Sequence, residues 1–131
     1  MLLAALDVFC HAVHLFVILF NLLGWVYPLT RRAHRVVVTL TAFFWLVIGP
    51  LYGALGYCPL TDWHWQVKAA RGEEVLPASY IDYLLRMVGL HAAPLSIDIA
   101  VGAVFFGVCC VTLALWWREQ RAKSSAALPP V

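Results

Sequence analysis

The sequence predicts an all-α membrane protein: three transmembrane helices, with two short interfacial amphipathic helices in the outer segment between spans two and three. Three observations carry that prediction. Of the 131 residues 63% are hydrophobic and 12% charged, with a mean hydropathy of +0.84. Soluble domains carry about 25% charge and roughly 45–50% apolar residues, so this chain has too much apolar surface to hide from water by itself. The apolar residues gather in three runs, each long enough to cross a ~30 Å hydrocarbon core at about 1.5 Å per residue. Finally, the basic residues cluster at run boundaries. The net charge of +2 gives no footing for nucleic acid.

Span one is expected over about residues 3–27. Trp25 and Tyr27 mark an interface and Pro28 ends the helix. Asp7, His11, His14 and Asn21 are spaced 4, 3 and 7 apart, which places them on one narrow face. Polar groups on one face of a span point at protein or trapped water rather than lipid. The missing basic n-region and the interruptions at Asp7, His11 and His14 argue against a cleaved signal peptide. Arg31, Arg32 and Arg35 follow in a short loop, which the positive-inside rule assigns to the cytoplasm.

Span two is expected over about 36–57. Gly49, Gly53 and Gly56 share a face with Trp45 and Tyr52, and the Gly49/Gly53 spacing suits close helix packing. Pro50 removes a backbone donor and should kink the helix. Residues 58–93 form the outer segment. There Thr61 or Asp62 can cap a helix that Gly72 stops, and Ser79 and Asp82 resemble a capping box opening a second helix to about Leu90. Trp63, Trp65, Tyr80 and Tyr83 suit an interfacial position, and Trp63-His64-Trp65 is most simply an anchor. Span three is expected over about 94–117. Trp116 and Trp117 bound it, and Arg118, Arg121 and Lys123 keep its end cytoplasmic. The chain then forms one transmembrane domain over residues 1–123, N-terminus outside and C-terminus cytoplasmic, with a disordered tail over 124–131.

Three strings carry a family resemblance. They are His14-Leu15-Phe16-Val17, Gly56-Tyr57-Cys58-Pro59-Leu60-Thr61 and Ser79-Tyr80-Ile81-Asp82-Tyr83-Leu84. Together they resemble the small bacterial inner-membrane proteins grouped as domain of unknown function 2784, from about Asp7 to Trp117, with Cys-Pro-Leu-Thr the most specific part. The resemblance implies the membrane architecture and a bacterial inner-membrane location. It transfers no catalytic residue.

The candidate site is a polar cluster at the outer depth of the bundle, drawn from Asp7, His11, His14, Tyr52, Cys58, His64 and Asp98. Read structurally, His11 or His14 hydrogen-bonds Asp98, Asp7 or a tyrosine and fixes how the spans pack. Read as a metal site, Asp7/His11 at i,i+4 or His11/His14 at i,i+3 supplies two ligands, with Asp98, Cys58 or His64 completing the set; His11, His14 and Asp98 are the leading metal candidates. Haem is disfavoured because span two has no histidine and span three offers only His91 before its start. No cofactor is the base expectation. Cys10, Cys58, Cys109 and Cys110 lack a disulfide or zinc spacing, although Cys10 and Cys58 share the outer depth and a bond between them stays open. The expected partners are the lipid bilayer and a second copy or another membrane protein. Three functions follow: an accessory or structural subunit, which the sequence favours; a metal- or haem-dependent membrane enzyme; or an oligomeric transporter or channel.

Overall fold

A computed structural model describes residues 1–74 and 76–126. Among the described residues there are five helices and no strand: α1 Leu2–Leu23, α2 Arg31–Leu51, α3 Pro59–Ala70, α4 Tyr80–Met87 and α5 Pro94–Ala126. Three of them, α1, α2 and α5, are long and apolar enough to cross a membrane, which makes this a multi-pass membrane protein. The interior is the inverse of a soluble core. Among the described residues only Val38, Tyr80, Ile97 and Val108 are buried apolar residues, against nine buried polar or charged ones. Lipid is as apolar as a leucine side chain, so burying leucine gives such helices little reason to associate, and polar contacts specify the packing.

The α1 stripe behaves as its spacing requires. Asp7, His14 and Asn21, spaced by seven, are the buried residues of α1. Its helix ends earlier than expected, at Leu23, in a tight reversal. Trp25 Nε1 donates to Leu22 O at 2.7 Å, Thr30 Oγ1 to Gly24 O at 2.7 Å and Arg31 Nε to Trp25 O at 3.0 Å, which satisfies carbonyls left free by the helix end. Gly24 leaves the room that this corner needs. A Cβ there would lie 2.8 Å from His34 Cδ2. His34, 1% exposed, donates from Nε2 to Asn21 O at 2.9 Å and ties α2 to α1.

The path of α2 departs from expectation. It starts at Arg31, and its helix stops at Leu51 rather than Tyr57. Pro50 has no N–H and its ring crowds the carbonyl four residues back, and the chain adapts by widening into a π-helical turn over Phe44–Ile48. The Gly49 N–H then bonds Phe44 O. Gly53 (φ +72°) and Gly56 (φ +80°) take left-handed conformations that end the helix. The expected packing face of Gly49, Gly53 and Gly56 is therefore absent. A Cβ on Gly53 or Gly56 would meet nothing, and one on Gly49 would strike Ala54 O of its own turn.

The Cys58 residue, extended at φ −130° and ψ 115°, is the N-cap of α3, with Pro59 in the first turn; the start lies ahead of the expected Thr61 or Asp62 cap. Gly72 does stop α3. Gly72 N–H bonds Ala69 O at 2.9 Å and Glu73 N–H bonds Lys68 O at 3.2 Å, a Schellman closure that folds Glu73 back over the last turn. Ser79 caps α4 by accepting from Asp82 N–H at 3.1 Å, and the Asp82 carboxylate holds Arg86 at 2.9 and 3.0 Å. The last helix, α5, runs well past Trp117. Its extension carries Glu119 to Arg31 (3.3 Å) and Arg35 (2.8 Å), and residues 124–126, expected to be unstructured, are helical. The remainder of the expected tail, 127–131, lies outside the described residues.

Candidate functional site

The site forms where α3 lies antiparallel along α1. His14 meets the first turn of α3 through Thr61 Oγ1 at 3.3 Å and Cys58 Sγ at 3.6 Å. Two turns earlier on α1, Asp7 meets His64, Lys68 and Arg71, further along α3. Thr61, His64, Lys68 and Arg71 are spaced 3, 4 and 3 apart, so α3 presents a polar stripe that matches the one on α1.

Asp7 is the hub. Its Oδ1 accepts from His64 Nε2 at 2.8 Å and lies 3.2 Å from Lys68 Nζ, while Oδ2 accepts from Arg71 Nη1. His11 Nε2 stands 3.9 Å from the same Oδ1. Lys68, 2% exposed, is also held by Glu73 at 3.1 and 3.3 Å, and its Nζ lies 4.7 Å from the Tyr83 ring centroid. Burial works against the Lys68 charge, but the Tyr83 hydroxyl, Glu73 and Asp7 outweigh it, so the ammonium titrates above the ordinary lysine value.

Helix α4 closes the cluster. The Tyr80 hydroxyl and His11 Nδ1 are 2.8 Å apart, and the Tyr80 ring stacks on His14 at 4.0 Å. Burial, with Tyr83 alongside, raises the Tyr80 hydroxyl and keeps it protonated. His11 and His64 meet edge to face at 4.3 Å. Trp65 Nε1 donates to Pro77 O at 2.9 Å, which pins the α3–α4 connection. Two buried ring nitrogens of the cluster, His14 Nδ1 and His64 Nδ1, have no partner among the described residues, and His34 Nδ1, outside it, has none either.

Five of the seven residues expected at the site are thus together: Asp7, His11, His14, Cys58 and His64. The other two stand apart. Asp98 is exposed on α5 and takes no hydrogen bond or ion pair among the described residues, so the expected His11–His14–Asp98 cluster is not formed. Tyr52 is 69% exposed and stacks on Tyr57 at 4.9 Å, because the turn after Leu51 carries both out of line. His91 is exposed, and among the described residues it has Gly89 O alone within hydrogen-bond reach, at 3.3 Å. Cys10 and Cys58 are both free thiols. The leading metal set also changes: Asp7, His11 and His64 bring one ligand atom each to within 4.8 Å of one another, and His14 and Asp98 are not among them.

Sequence reasoning did not assign Lys68, Arg71, Glu73, Thr61, Tyr80 or Tyr83 to the site. The signal was the 3-4-3 polar spacing on α3, which the flanking Trp63 and Trp65 obscured by suggesting a helix lying flat at the interface.

The strings that carry the family resemblance sit at this site: His14 on α1, Cys58 and Thr61 on α3, and Tyr80 and Tyr83 on α4. The model of the family described as Protein of Unknown function (DUF2784) matches residues 4–118. The chain belongs to this family. No curated protein and no solved structure matches it. The DUF2784 match spans every residue of the cluster, from Asp7 to Tyr83, and ends at Arg118, before Glu119 and the rest of the α5 extension.

Proposed function

We propose that the chain is an accessory or structural subunit of the bacterial inner membrane, which packs through its spans with itself or with a larger membrane complex. The contrast between its two parts carries this reading. The α1–α3–α4 head is stapled by ion pairs that use its charges internally: Asp7 with Lys68 and Arg71, Lys68 with Glu73, and Asp82 with Arg86. The span α5 meets the others sparsely and leaves Phe106 (71%), Leu113 (62%) and Ile99 (63%) exposed. A chain with a fixed head and a loose span suits lateral association, where neighbouring helices supply the missing packing. Arg31 and Arg35 share an end of the bundle with Glu119, beside Arg118 and Arg121, which supports an orientation with both basic clusters cytoplasmic and the N-terminus outside.

Photo-crosslinking from a benzophenone residue at Phe106 in native membranes tests the assembly. A discrete band, either a second copy or one repeated partner, is expected. Crosslinks to lipid alone, with a monomer in nanodiscs, refute it. Side-selective labelling of Glu74→Cys tests the orientation, with labelling from outside expected. Ion flux in liposomes from the isolated protein would instead favour a transporter.

A further inference from the structure

We infer that Asp7, His11 and His64 form a binding site for a divalent first-row transition-metal ion, and that Lys68 is the cation this ion displaces. Two imidazoles and a carboxylate are the donor set such borderline ions take, with an open position left for water or a ligand. The geometry is nearly in place. His64 Nε2 and His11 Nε2 lie 2.8 and 3.9 Å from Asp7 Oδ1, and one ligand atom from each residue falls within 4.8 Å of the others. Donors about 2.0–2.1 Å from a tetrahedral ion stand roughly 3.3 Å apart, so closing the separations by at most about 1.5 Å brings these atoms into line.

The surroundings orient the donors. His11 Nδ1 lies 2.8 Å from the Tyr80 hydroxyl. The tautomer that donates from Nδ1 to the Tyr80 oxygen leaves the Nε2 lone pair free on the Asp7 side, the same outer-partner arrangement that fixes metal-bound imidazoles elsewhere. His64 is fully buried, and its Nε2 proton now bridges to Asp7 Oδ1; an ion entering there takes the place of that bridge, and the ring shifts its proton to Nδ1 to offer Nε2.

The ammonium of Lys68 sits 3.2 Å from the Asp7 oxygen that the ion would take. It already has a second resting place. The Schellman turn at Gly72 holds Glu73 against it at 3.1 and 3.3 Å, and the Tyr83 ring faces it at 4.7 Å. Metal entry therefore exchanges one cation for another at Asp7, while Lys68 keeps Glu73. Arg71, one-third exposed, can turn toward water.

The test uses the full chain in mild detergent, without a histidine tag, stripped by chelator and titrated with Co²⁺ and then Zn²⁺. Visible d–d bands saturating at one Co²⁺ per chain and lost on adding Zn²⁺ are expected. His11→Gln, assayed at a temperature where circular dichroism shows it folded, should weaken binding by at least about tenfold, and His91→Gln should leave it unaltered. Lys68→Met should tighten binding by about tenfold, because it removes the competing charge. Absence of bands and of binding heat in folded wild type overturns the site. Equal affinity in His11→Gln overturns the assignment of its ligands, and unchanged or weaker affinity in Lys68→Met overturns the exchange.

Discussion

Replacing Asp7 with Asn should detach α3 from α1. Asp7 is 8% exposed and serves three donors at once: His64, Lys68 and Arg71. Asparagine has the same shape but no charge, and its amide hydrogens would face donors. Removing one member of a buried ion pair costs about 3–5 kcal/mol, and hydrogen bonds to charged groups contribute about 1.5–3 kcal/mol each. Two features pull the sum toward the lower end. Lys68 retains Glu73, and the Arg71 side chain is 34% exposed and can rehydrate. The expected loss is about 3 kcal/mol, or more than a hundredfold in the folding equilibrium. Reversible unfolding in mixed detergent–SDS micelles measures it. Trypsin supplies a local readout, because Lys68 is 2% exposed in the native state and becomes cleavable when α3 lifts. Adding Lys68→Met to Asp7→Asn should recover at least half of the loss, since no stranded ammonium remains. A single variant within about 0.5 kcal/mol of wild type, with unchanged trypsin cleavage, would refute the hub reasoning.

Gly24→Ala should destabilise by about 1–3 kcal/mol in the same assay, because its Cβ would lie 2.6 Å from Phe20 O and 2.8 Å from His34 Cδ2. Glu119→Gln should cost less than about 1 kcal/mol, and the loss should shrink in high salt, because both arginine pairs are partly exposed. Non-reducing and reducing gels should show equal mobility, with Cys10 and Cys58 both alkylated after unfolding. Asp62 beside the Tyr57 hydroxyl, then partial burial, pushes that group up to about 12. In an ultraviolet pH titration Asp62→Asn should therefore return one tyrosine toward the ordinary value of 10.0.

The spans and the buried stripe of α1 were legible because composition and periodicity are local properties. Asp7, His14 and Asn21 fall on one face whatever packs against them. The partner of that face was not legible. Asp98 and the α3 stripe are both polar, and only chain geometry decides between them. The decision rests on the turn after Leu51, where Pro50, Gly53 and Gly56 end α2 early and return the chain toward α1. Those glycines also fit a helical packing face by spacing alone, and the positive φ that excludes it at Gly53 and Gly56 leaves no mark in hydrophobic pattern. Ser79 and Gly72 acted as foreseen, since caps depend on their immediate neighbours. Lys68 was hidden by its type: a lysine in a polar segment reads as solvated until a carboxylate is found beside it.

The pairing of α1 with α3 also imposes an order on synthesis. The first helix leaves the ribosome carrying Asp7, while its partners are encoded 57 residues later at His64 and 64 later at Arg71. Between those events the carboxylate has no internal counter-charge from α3; an aspartate at the centre of an inserting helix costs about 2.5–3.5 kcal/mol, and the cost is smaller near the start of α1, where Asp7 sits. Until α2 has followed and α3 has emerged, water at the end of the helix is the partner within reach of Asp7. A nascent chain whose α3 is still inside the ribosome leaves Asp7 without its partners, and one whose α3 has emerged can pair it with His64, Lys68 and Arg71.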